Sequence, residues 1–173
     1  MNSAKFRRKQ NTMIVCGWGV LILGIWSVLR FILSVSMEFQ RFLEVTVLPY
    51  IDPVVENEGV IIGLLTIALV VFFSLIDVLI RFVICRGANA EGRGTPKNGF
   101  YAVLLCFYML ANLITVFTNA YAFNVLSENT VEEVFASLLM SVTDFVITVD
   151  LFAATVSVRR TMRREGMYKK SKG

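Results

Sequence analysis

Four long apolar stretches are the feature that most limits what this chain can fold into. They cover residues 13–36, 60–85, 100–123 and 134–158. Each is longer than the roughly 20 residues with which a helix crosses a bilayer. Hydrophobic residues make up 56% of the 173 residues, more than the roughly 45–50% that is usual in soluble domains. The sequence therefore predicts an all-α membrane protein with four transmembrane helices.

The charge of the connecting segments alternates along the chain. Residues 1–12 are basic, the first connection is acidic, and residues 86–99 are basic again. The third connection has no lysine or arginine, and residues 159–173 form a basic tail. Short segments rich in lysine and arginine stay on the cytoplasmic side. The pattern predicts one membrane domain, residues 13–158, folded as an antiparallel four-helix bundle in the cell membrane with both termini cytoplasmic.

The second connection contains several residues that break regular structure. Gly87, Gly92, Gly94 and Pro96 lie within it, so we predict a flexible turn that begins after Cys85. The segment lacks the spacing of a phosphate-binding loop, and no strand precedes it.

Ionisable and amide side chains interrupt the apolar stretches. Asp77 and Arg81 are four residues apart, so a helix places them on one face. Charged groups are costly in hydrocarbon and usually face the interior of a bundle. We therefore predict an intramembrane polar network that serves either helix packing or an ion pathway. Its members are Arg30, Asp77, Arg81, Asn112, Asp144 and Asp150.

The helical rise of about 1.5 Å per residue gives each member of this network a depth. Measured from the cytoplasmic side, the depths fall into two layers. The layer nearer that side contains Asp77, Arg81 and Asp150, and the layer farther from it contains Asn112, Asp144 and Arg30. Two roles stay open for Arg30: it pairs inside the bundle, or its side chain reaches the far membrane surface.

Polar residues also follow helical spacing in the third and fourth stretches. Asn112, Thr115 and Asn119 share one face of the third stretch. Ser137, Ser141, Asp144 and Thr148 share one face of the fourth, and Asp150 points away from it. Such residues hydrogen-bond across helices in membranes.

The basic tail begins with four arginines in one helical turn and a half. We predict that they contact anionic lipids at the cytoplasmic face, at about 1 kcal/mol for each basic residue near the surface. These residues are Arg159, Arg160, Arg163 and Arg164.

The sequence offers little for catalysis. It has no histidine, which is the commonest general base near neutral pH, and its three cysteines lack metal or redox spacing. We therefore expect no enzymatic activity, no cofactor, no metal site and no nucleic-acid binding. The first functional hypothesis is an accessory, assembly or signalling partner of a membrane complex. The alternative is an oligomeric proton- or cation-coupled transporter or channel that uses intramembrane aspartates, and a homo-oligomer would favour this alternative.

Overall fold

A computed structural model of the chain describes residues 3–37, 56–95, 99–125 and 131–164. Four α-helices account for nearly all of these residues. They are α1, Ser3–Met37; α2, Glu56–Gly92; α3, Phe100–Val125; and α4, Val131–Arg164. The acidic first connection, most of the third, and the tail after Arg164 lie outside the described residues.

All four helices are long and apolar enough to cross a membrane. The segments that meet this criterion are Ala4–Leu33, Gly63–Gly92, Phe100–Phe123 and Val134–Arg164. The prediction of an all-helical chain with four helices of membrane-crossing length is therefore confirmed. The helices are compatible with a multi-pass membrane protein.

Helix α2 continues through the first half of the segment for which we predicted a turn. Ile84, Ala88 and Glu91 are buried and lie at helical spacing, so one face of this extension packs inside the protein. The helix ends at Gly92 and is capped at Gly94, which has a φ of +86°. The Gly94 amide donates to the Glu91 carbonyl at 2.9 Å and the Thr95 amide to the Ala90 carbonyl at 3.0 Å. These two bonds form a Schellman cap, which favours glycine at the left-handed position.

The described residues belong to two compact units. The first unit comprises Met1–Leu21 and Arg81–Gly173, and the second comprises Ile22–Ile80. The first unit therefore contains the beginning of α1, the end of α2, and α3 and α4. All four helices contribute to its apolar core. Fully buried core residues are Met13, Val20, Ile84, Ala88, Leu105, Leu151, Val158 and Met162.

The second unit contains the rest of α1 and the preceding part of α2. Its large apolar side chains are mostly exposed, as Trp26, Leu69 and Phe73 illustrate. Such a surface is suited to hydrocarbon, because lipid tails are as apolar as these side chains. Arg30 and Asp77 lie in this unit, and both are half-buried.

Candidate functional site: two arginine–carboxylate pairs in the first unit

An ion pair between Arg81 of α2 and Asp144 of α4 lies inside the first unit. The Arg81 Nη2 atom is 2.7 Å from Asp144 Oδ2. Both residues are only 7% exposed. A charge in such a place is costly unless it is paired and hydrogen-bonded, and here each charge neutralises the other. The pair therefore fixes a point on α2 against a point on α4.

The other two helices also contact this ion pair. Tyr108 of α3 donates its hydroxyl to Asp144 Oδ2 at 3.1 Å. The guanidinium carbon of Arg81 is 5.1 Å from the centroid of the Tyr108 ring, within the range of a cation–π contact. Arg81 Nη1 donates to the backbone carbonyl of Val20 in α1 at 3.0 Å. Four helices thus meet at one guanidinium and one carboxylate.

Hydrogen bonds continue from this ion pair along α3 and α4. Asn112 Nδ2 donates to Thr148 Oγ1 at 3.2 Å, and Thr148 donates to the backbone carbonyl of Asp144 at 2.7 Å. Further along, Asn119 Nδ2 donates to Ser141 Oγ at 3.1 Å. The polar faces of the two helices therefore meet each other.

A second ion pair joins Glu91 of α2 to Arg159 of α4. Glu91 is fully buried, and the side chain of Arg159 is 16% exposed. Arg159 Nη2 donates to Glu91 Oε1 at 2.7 Å, and Arg159 Nε lies 3.1 and 3.0 Å from the two carboxylate oxygens. Such a forked contact is stronger and more directional than a single hydrogen bond.

Tyr101 of α3 completes this second cluster. Its hydroxyl donates to Glu91 Oε2, and the guanidinium carbon of Arg159 lies 4.8 Å from its ring centroid. The ring fits because residue 87 is glycine: a Cβ at Gly87 would lie only 2.4 Å from the ring carbon Cγ of Tyr101. The close approach of α2 and α3 therefore depends on the absence of a side chain at Gly87.

The structure brings together three members of the predicted network, Arg81, Asp144 and Asn112. Arg81 and Asp144, which we assigned to different layers, are in direct contact, and Asn112 reaches Asp144 through Thr148. Asp150, which we assigned to the layer of Arg81, is exposed on another face of α4.

The arginines of the predicted lipid contact divide into two groups. Arg159 binds Glu91 within the protein, a partner that the sequence analysis did not propose. Arg160, Arg163 and Arg164 are exposed at the end of α4.

Sequence reasoning missed three members of the two clusters. Tyr101 and Tyr108 are not among the predicted polar residues, and Glu91 falls in the segment for which we predicted a turn. Helical spacing in the sequence could have indicated all three residues. Tyr101, Tyr108, Asn112 and Asn119 share one face of α3. Glu91 continues the face of Ile84 and Ala88, and it is the only acidic residue in a basic segment.

In both clusters the negative charge of the carboxylate is neutralised by the positive charge of an arginine. Each combines a guanidinium, a carboxylate and a phenol. In the described part of the chain, no group of three or more histidine, cysteine, aspartate or glutamate side chains is placed to hold a metal ion. The three cysteines are free thiols. The arrangement is suited to holding helices in register.

Comparison with known proteins adds no family to this description. No protein-family model matches the chain, and searches of the curated proteins and of the solved structures give no match either.

Proposed function

We propose that the chain is a non-enzymatic, multi-pass protein of the cell membrane that acts as an accessory, assembly or signalling partner of another membrane protein. The observation that carries this proposal is the pairing of the buried carboxylates. Asp144 and Glu91 are each engaged by an arginine of another helix and by a tyrosine hydroxyl. Carboxylates held in this way stabilise helix packing, whereas a transported ion requires a carboxylate that is released during the cycle.

The proposal includes an antiparallel bundle with both termini in the cytoplasm. Contacts inside the first unit support it, because residue numbers rise on α3 as they fall on α4: Asn112 pairs with Thr148 and Asn119 with Ser141. The alternation of basic and acidic connections supports the orientation. Arg160, Arg163 and Arg164 would then contact anionic lipid at the cytoplasmic surface, and a tag at the C-terminus should be inaccessible from outside intact cells.

The mass of the native complex tests the function. The chain is extracted from its own membrane in a mild detergent and weighed by native mass spectrometry. A defined complex with a different membrane protein supports an accessory role. A bare monomer, in several detergents and in lipid nanodiscs, would contradict it.

The transporter or channel is the second candidate, and the Arg81–Asp144 pair is the observation in its favour. It lies within helices of membrane-crossing length, where ionisable residues often mark ion pathways. Purified protein in vesicles should then move protons or cations, and Asp144→Asn should abolish that flux in a variant that still folds. An absence of flux with the intact protein would exclude this candidate.

A further inference from the structure

Asp150 is an exposed carboxylate within the membrane-crossing segment of α4. Among the described residues it takes part in no ion pair or hydrogen bond, in contrast to Asp144 on the same helix. An ionised side chain at such a place calls for a partner of opposite charge.

The surroundings of Asp150 form a continuous exposed face of α4. We call it the Asp150 face; it consists of Thr143, Val146, Asp150 and Ala153, which are spaced by three and four residues. Helix α1 flanks α4 here: the position of a Cβ on Gly19 is 3.4 Å from Ile147, and Lys9 donates to Ser157. The Asp150 face thus lies beside a packed pair of helices and is itself uncovered within the first unit.

The depth of Asp150 in the membrane limits which positively charged groups can reach it. Along α4, Asp150 lies about 24 Å from Val134 and about 15 Å from Arg160, which the proposed orientation places at the cytoplasmic surface. This distance is about half the thickness of a hydrocarbon core of about 30 Å. Cationic lipid headgroups stay at the membrane surface, about half a bilayer thickness away. A side chain from another helix reaches the required depth.

Symmetry disfavours a second copy of this chain as the occupant. In a two-fold dimer through this face, each Asp150 would lie near its counterpart, which brings two negative charges together. A helix with a positive charge is complementary instead.

We infer that the Asp150 face binds a transmembrane helix of another protein, and that this helix carries a lysine or arginine near its midpoint. The inference rests on the proposed accessory function and names the chemistry of the partner. The carboxylate of Asp150 pairs with the basic side chain, while Val146 and Ala153 pack against the apolar surface around it.

A synthetic helix tests this directly. The purified full chain is placed in phosphatidylcholine vesicles with a fluorescent leucine-rich transmembrane peptide that has one central arginine, and association is measured by energy transfer. We expect the affinity to fall at least tenfold for a peptide with leucine at the centre and for Asp150→Asn. Asp150→Glu should retain binding, and Thr143→Val, a change on the same face, should have little effect. Equal binding by the intact chain and Asp150→Asn would overturn the inference.

Extraction from the native membrane separates this inference from the proposed function. If a hetero-complex forms with the intact chain and is lost with Asp150→Asn, the inference is supported. If the complex survives in Asp150→Asn, the inference fails while the accessory role stands. If neither forms a hetero-complex, the proposed function itself fails. Self-association that depends on Asp150 would identify a second copy as the occupant and overturn the inference.

Asp150→Asn should fold normally, because the side chain is exposed and has no ion pair in the described structure. Equal thermal stability of the intact chain and the variant in detergent checks this.

Discussion

The two ion pairs of the first unit have the same three components with the charges exchanged. In one pair α2 supplies the arginine, Arg81, and α4 supplies the acid, Asp144. In the other, α2 supplies the acid, Glu91, and α4 supplies the arginine, Arg159. In each case a tyrosine of α3 donates to the carboxylate and stacks on the guanidinium.

The exchange of charges makes the alignment of α2 and α4 specific. If α2 slid along α4 until Arg81 met Arg159, two positive charges would face each other. Sliding the other way would bring Glu91 to Asp144, which places two carboxylates together. Opposite pairs therefore stabilise one alignment and penalise both alternatives, as charge patterns do in helix pairing.

The two pairs differ in the exposure of their arginines. Arg81 and Asp144 are both deeply buried, whereas the side chain of Arg159 is 16% exposed. Removal of one member should thus be more costly in the Arg81–Asp144 pair than in the Glu91–Arg159 pair.

The largest effect is expected for Arg81→Leu, which leaves Asp144 buried without its cation. We expect the free energy of unfolding to fall by about 3–5 kcal/mol. The double variant with Asp144→Leu should recover most of this loss, because an apolar pair of similar size is often neutral or better. Reversible unfolding in lipid bicelles measures both, and a double variant as unstable as the single one would contradict the ion-pair explanation.

A smaller effect is expected for Glu91→Gln. Arg159 loses its carboxylate but can turn toward water, so we expect a loss of about 1.5–3 kcal/mol. The matched control is Arg160→Gln, because Arg160 is exposed and follows Arg159 directly in sequence. Its free energy of unfolding should change by no more than about 0.5 kcal/mol. A loss for Glu91→Gln as large as that for Arg81→Leu would show that exposure does not separate the two pairs.

Gly87→Ala tests the Tyr101 contact without changing a charge. Its methyl group would overlap the Tyr101 ring and push the hydroxyl away from Glu91, at a cost of about 1–3 kcal/mol. Gly19→Ala is the control, because its Cβ would lie 3.4 Å from Ile147, an ordinary contact. Gly87 and Glu91 contact the same tyrosine. The loss of unfolding free energy in the double variant Gly87→Ala with Glu91→Gln should therefore be smaller than the sum of the two single losses.

The smallest effect is expected for Asn112→Leu, which removes the bond to Thr148 but no charge. Hydrogen bonds between membrane helices average about 0.6 kcal/mol, and we expect a loss of that size in bicelle unfolding. Thr115→Val is the control, because Thr115 is exposed and bonds within its own helix. A loss above that of Glu91→Gln would mean that the neutral bond contributes more than the second ion pair.

The number of helices, and the fact that each is long enough to cross a bilayer, were predictable, because long apolar stretches have few other stable states in a bilayer. The pairing of Arg81 with Asp144 was not. Depth estimates place Cα atoms and ignore the length of an arginine side chain, which lets residues at different depths meet. In addition, the depths along α2 were counted from Cys85, the expected end of the helix. The helix in fact ends at Gly92, about 10 Å further along.

Glu91 illustrates a different difficulty. Glycines around it indicate a turn when they are read locally. In the structure Gly87 packs against Tyr101 of α3 and Gly92 against Ile14 of α1, in contacts that leave no room for a side chain on either glycine. Such a contact depends on another helix, so it could not be read from the segment itself.

The Arg81 contacts have a consequence for how the chain is made. About sixty residues separate Arg81 from Asp144, and ribosomes add about 5–20 residues per second, so α4 follows α2 by several seconds. Of the contacts described for the guanidinium, the Val20 carbonyl alone belongs to chain synthesised before it. During insertion, therefore, Arg81 can already donate to the first helix before Asp144 has been synthesised.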